Sequence, residues 1–107
     1  IEARHPGARV EWQRTGGYSN MKDRLDSDPR VGRLAQRAIE MEGMTPVIKP
    51  IRGGTDGSRL SYEGILTPNL FTGGGDFHSR KEWVCVDWME KSVRVILNLC
   101  ALWAQER

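Results

Sequence analysis

The chain has 107 residues, of which 38% are hydrophobic and 28% charged, with a formal net charge of +2. That size corresponds to one domain or part of one, and the composition is that of a folded soluble protein and excludes a disordered tail. No apolar run approaches the ~20 residues that span a bilayer, and the basic residues are interleaved with acids, as in KDRLDSDPR and HSRKEW. A one-sided basic stripe for phosphate is therefore excluded, and neither nucleic acid nor a membrane is expected as a partner. The first residues show no charged-then-apolar leader, and the two cysteines are too sparse for a disulfide framework, so the expected compartment is the cytoplasm. Cys85 in WVCV and Cys100 in LNLCAL have apolar neighbours and are expected to be buried thiols.

ARVEWQR alternates Val10 and Trp12 with Glu11 and Gln13, which predicts a half-buried strand; Gly16 and Gly17 end it. Asp28 and Pro29 read as the N-cap and first residue of a helix. Val31, Leu34, Ala35, Ala38 and Ile39 form its single buried stripe, and Gly43 closes it. TPVIKPI (45–51) and TPNLFT (67–72) predict short extended segments, with a short helix around Leu60 and Tyr62 between them. In the last segment Asp87 and Glu90 have the spacing of a capping box. Met89, Val93, Ile96, Leu97, Cys100 and Trp103 make one stripe, while Val95, Leu99 and Leu102 make a second, so this helix is expected to be covered on more than one side. Helices alternating with short strands indicate an α/β arrangement. The few strands and abrupt start read as the end of something larger.

The blocks YSNMKDRLDSDP, PIRGGTDGSRLSYEG, TPNLFTGG, DFHSRKEWV and MEKSVRVI occur in one order with short gaps. The series resembles the C-terminal part of the tripeptide aminopeptidases, members of a dizinc exopeptidase family that includes aminoacylases and glutamate carboxypeptidases. The resemblance runs through roughly 90 residues, a domain-scale length. It implies an α/β catalytic domain interrupted by a lid domain, with residues 1–18 ending the lid and residues 19–107 forming the C-terminal part of the catalytic domain. It also implies two zinc ions and a general-base glutamate, most of whose protein ligands lie outside these residues. The expected activity is removal of the N-terminal residue of tripeptides by metal-activated water, with the chain by itself inactive. The alternatives are a catalytically inactive interaction or peptide-binding module, or a related dizinc amidohydrolase of the aminoacylase or carboxypeptidase type.

By position in the matched blocks, His78 is the implied metal ligand. Neutral imidazole is a common zinc ligand, and the glycines before it permit sharp turns; taken alone, a loop histidine is as readily solvent-exposed or locally hydrogen-bonded. His5 has no such support. The turn RGGTDGSR borders the substrate side in such enzymes, so Arg52 and Arg59 are the implied partners of a peptide carboxylate, which guanidinium grips through two parallel hydrogen bonds. Gly53, Gly54, Thr55, Asp56 and Gly57 are read as shaping the turn. No residue of this chain is assigned as catalytic. Glu63 and SRKEW depart from the family pattern and bear on substrate preference. Self-association is expected if strand edges and apolar surface around Trp12 are left uncovered.

Overall fold

A 3-10 turn at Glu2–Arg4 comes first in the chain, and Asn20 leads into the next helical turn, its side-chain oxygen accepting the Lys22 amide at 3.1 Å. The computed structural model describes residues 2–51 and 53–106. In it this turn is α1 (Lys22–Leu25), and α2 (Pro29–Met41) follows. Asp28 caps α2, accepting the Arg30 amide at 3.0 Å, and Pro29 supplies a first residue that needs no donor. At the other end Gly43 has a φ of +69°. Its amide bonds to the Glu40 carbonyl and that of Met44 to Ile39, the paired bonds that satisfy the last free carbonyls of a helix. Helix α3 (Asp56–Tyr62) ends in the same way, with Gly64 and Ile65 bonding back to Ser61 and Leu60.

The only paired strands among the described residues are β1 (Gly74–Gly75) and β2 (Trp83–Val84), antiparallel with Gly74 opposite Val84. One more bond, from the Cys85 amide to the Gly73 carbonyl at 2.9 Å, carries the hairpin straight into α4 (Val86–Gln105). That bond explains why α4 starts earlier than its capping-box sequence predicts. Cys85, at the end of the ladder, is the N-cap, and Asp87 falls in the first turn. Glu90 pairs with Arg94 at 2.6 Å instead of reaching back.

Helices α2 and α4 run antiparallel, since Arg33 meets Glu106 while Ala38 and Glu42 meet Asn98. Leu34, 2% exposed, and Val95, fully buried, sit in the core with Val31, Ala35 and Ala38. Leu99 and Leu102, neighbours of Val95 on the helix, are half-buried. The other α4 stripe is not covered: Met89, Val93, Ile96, Leu97 and Cys100 are exposed. Among the described residues α4 is thus covered on one side only, and Cys100 is not the buried thiol expected; Cys85 is half-buried.

Residues 8–20 form no strand, and neither do 45–51 or 67–72. A strand exists only beside a second segment that takes up its amides and carbonyls in a ladder, and among the described residues the only ladder is that of β1 and β2. Trp12 is 81% exposed. The observed architecture is mixed helix with a small two-stranded sheet among the described residues, which does not contradict an α/β arrangement. Its surface of 9241 Å² compares with about 6,000 Å² for a compact protein of this mass. The radius of gyration is 19.1 Å, against about 13 Å for a compact chain of this length.

Leu34→Ala should remove roughly 2–5 kcal/mol by opening a cavity between α2 and α4. Leu97→Ala, at a position 64% exposed, should change stability by less than about 0.5 kcal/mol, both measured as urea unfolding followed by circular dichroism. The Arg30 guanidinium, hydrogen-bonded to Asp28, holds that carboxyl below its ordinary value and is itself raised. A depressed carboxylate stabilises the fold above its unfolded pKa, and that contribution is lost as pH falls through the folded value. Asp28→Asn should therefore unfold at lower urea than the parent at about pH 6, and the difference should vanish near about pH 2.

Candidate functional site

Helix α3 is fastened on two sides by buried hydroxyls. Ser58 donates to the Ser19 carbonyl at 2.5 Å, and the Ser61 hydroxyl accepts the Thr67 amide at 3.0 Å. Tyr62 reaches the Asn20 carbonyl at 3.2 Å, and the Arg24 guanidinium lies 4.7 Å over the Tyr62 ring. The turn before α3 follows from this packing. Gly57 is buried against the Thr67 carbonyl, and Gly54 lies directly against the Tyr18 ring, so neither leaves space for a Cβ. Gly53 has a φ of +79°. Thr55 is the N-cap residue, though its hydroxyl accepts from Asn69 at 3.3 Å instead of capping the helix. Asp56 is the first helical residue.

Arg59 is exposed in the last turn of α3, with no ion pair among the described residues. Arg52 lies outside the described residues.

His78 sits in the loop 76–82 that joins β1 to β2. Gly73, at φ +87°, presses against the start of α4, where a Cβ would meet the Met89 nitrogen at 2.6 Å. Only glycine combines that backbone with that approach. Gly75 lies against the Trp83 indole, whose ring stacks at a tilt on Trp88 with centroids 5.9 Å apart. The glycine run thus seats the hairpin on its own tryptophan and on α4, which leaves the following loop projecting. Within that loop Ser79 bonds back to Asp76 and Glu82 to Ser79. The His78 amide donates to Glu82 Oε2 at 3.2 Å. The His78 side chain is exposed, and no hydrogen bond among the described residues engages its ring.

No hydrogen bond or ion pair among the described residues joins this loop to Arg59 or to the turn before α3. Nor do three His, Cys, Asp or Glu side chains gather there as a metal ion requires. The open imidazole of His78 suits one ligand, but these residues do not make a zinc centre. A cleft of about 650 Å³ between α2 and the end of α4, lined by Arg33, Arg37, Leu102 and Glu106 among others, contains none of the expected site residues. Among the described residues no helix is long and apolar enough to cross a membrane. Sequence reasoning passed over Ser58, Ser61 and Glu82; of these only Glu82 carried a readable signal, an acid four residues after the histidine.

The structure describes a mixed helical chain with a two-stranded hairpin, an exposed loop histidine and an apolar helix face left bare. No family model matches it. Its sequence is similar to peptidase T proteins. It is 50% identical to that of Shewanella sediminis over 98 residues, which is 92% of this chain and 24% of the relative. For Shouchella clausii the identity is 44% over 105 residues, 98% of this chain and 26% of the relative. For Desulfitobacterium hafniense it is 52% over 92 residues, 86% and 22%. The chain thus spans about a quarter of the length of the relatives it matches.

Gly57→Ala should loosen α3, because the new methyl would be forced into the Thr67 carbonyl. Gly32→Ala is the contrast: it lies inside α2 with nothing within 4 Å and should stabilise by about 0.8–1 kcal/mol through helix propensity alone. Paired thermal melts of the two variants decide this.

Proposed function

We propose that this chain is the C-terminal portion of a peptidase T-like enzyme, an aminopeptidase that releases the N-terminal residue of tripeptides with zinc-activated water. The observation that carries the proposal is identity of 44–52% sustained over 86–98% of the chain. The exposed apolar stripe of α4 supports it, because it suits a chain whose neighbours belong to a longer protein. On this reading residues 1–18 end the lid domain and residues 19–107 belong to the catalytic domain. His78 supplies one metal donor, while Arg52 and Arg59 hold the peptide carboxylate.

Zinc in such a site supplies a water that ionises near neutral pH and a Lewis acid for the peptide carbonyl. The part of this chain is to bind and orient. The glycine-seated hairpin holds the His78 loop, and the serine-fastened α3 carries Arg59. The remaining donors and the general base belong to the rest of the enzyme, so the 107-residue chain by itself is expected to be inactive.

In the full-length protein, His78→Ala should lower tripeptide turnover by at least about 10–100-fold with loss of bound zinc, while circular dichroism stays unchanged. Arg59→Ala should instead raise KM for peptides with a free carboxylate and spare amidated ones. Normal zinc content and normal turnover in His78→Ala, or chelator-sensitive hydrolysis by the 107-residue chain alone, would overturn the proposal.

A further inference from the structure

Among the described residues, seven adopt a positive φ, and glycine occupies five of those positions: Gly7, Gly43, Gly53, Gly64 and Gly73. The exceptions are Asp76 at +53° and His78 at +66°, both in the loop between β1 and β2. A left-handed backbone crowds Cβ against the following carbonyl, a strain that glycine escapes. Asp and His tolerate it better than most, yet a side chain at 78 still requires the surrounding structure to hold that backbone. Strain kept at one position where glycine serves elsewhere points to a side chain that is needed.

The bond that holds it comes from Glu82. Its carboxylate accepts the His78 amide at 3.2 Å, and its own amide donates to the Ser79 carbonyl at 3.3 Å. Ser79 closes the loop further, its amide bonding Asp76 at 3.1 Å and its hydroxyl accepting the Lys81 amide at 3.0 Å. Glu82 directly precedes Trp83 of β2, which is locked by pairing with Gly75 and by the ring of Trp88. The carboxylate is therefore tethered to the rigid side of the hairpin and reaches across to the strained side.

We propose that Glu82 is the positioning residue of this loop: by accepting the His78 amide it maintains the left-handed backbone from which the His78 imidazole projects. The proposal rests on the reading of His78 as a functional ligand and extends it to a residue that touches neither substrate nor metal. What Glu82 contributes is an accepting oxygen at a fixed place, so a glutamine, whose amide oxygen accepts equally, replaces it and an alanine does not.

The test uses the full-length protein that contains this chain, with Glu82→Ala, Glu82→Gln, His78→Ala and the His78→Ala/Glu82→Ala double variant. The readouts are tripeptide kcat and KM, and deuterium exchange of the peptide covering residues 74–84. Glu82→Ala should lower kcat about 10–100-fold with KM changed less than about threefold, in line with the loss of a residue that orients a ligand, and should speed exchange of the loop amides. Glu82→Gln should recover most of both. Added to His78→Ala, Glu82→Ala should cost nothing further, because the two act as one unit. Unchanged exchange in Glu82→Ala, a glutamine variant as impaired as the alanine, or additive losses in the double variant would each overturn the proposal. A fully active His78→Ala protein would also overturn it, by removing its premise; faster exchange in Glu82→Ala would then show that the functional role failed and not the bond.

Discussion

The contact between α2 and α4 is the constraint on which the other elements depend, because it is the only place where the described chain excludes water from a cluster of large apolar side chains. Leu34 and Val95 are almost wholly removed from solvent there, in the company of Val31, Ala35 and Ala38. Polar contacts fix the pairing rather than drive it. Arg33 to Glu106 and Asn98 to Glu42 set the antiparallel register at the two ends, but exposed ion pairs contribute little by themselves. With α4 held, the hairpin follows, because the Gly73 carbonyl and Cys85 amide join it to the first turn of that helix.

Away from that contact the chain is held by individual hydroxyls. Ser58, Ser61 and Ser92 are buried, and each uses its oxygen on backbone outside its own helix: Ser19, Thr67 and Phe71. Such bonds position elements without contributing much apolar burial. They place α3 and the segments around it where a functional side chain can be held, while Val47, Ile48 and Ile51 remain exposed. An extended surface and an exposed α4 stripe accord with a chain that spans about a quarter of the length of the relatives it matches.

The loop carrying His78 joins these two regimes. Its base is rigid, set by glycines that fit against tryptophan and helix backbone, and its tip is strained, set by Asp76 and His78 in a conformation glycine usually takes. A rigid base with a strained tip fixes the backbone at His78 while the side chain stays exposed. The loop presents that ring outward, and among the described residues no group of three His, Cys, Asp or Glu side chains gathers there.

Where structure depends on near neighbours in the chain, the sequence was sufficient. The Asp28–Pro29 start of α2, its Gly43 end and the short helix around Leu60 and Tyr62 are all local, set by capping and by left-handed backbone. The assignment of His78 came from ordered blocks rather than from any local rule, since an isolated loop histidine reads equally well as solvent-exposed. What tertiary structure alone decided was pairing. ARVEWQR, TPVIKPI and TPNLFT have strand-like composition, but a strand needs hydrogen bonds from a second segment, and alternation along one segment cannot say whether that partner is there. Two of the glycines preceding His78 became a strand for the opposite reason, because Trp83 and Val84 were brought beside them. The start of α4 moved from Asp87 to Cys85 once that ladder ran into the helix. Two apolar stripes on α4 were legible, but which of them α2 would cover was not, because periodicity records which faces are apolar and only packing selects the one that is buried.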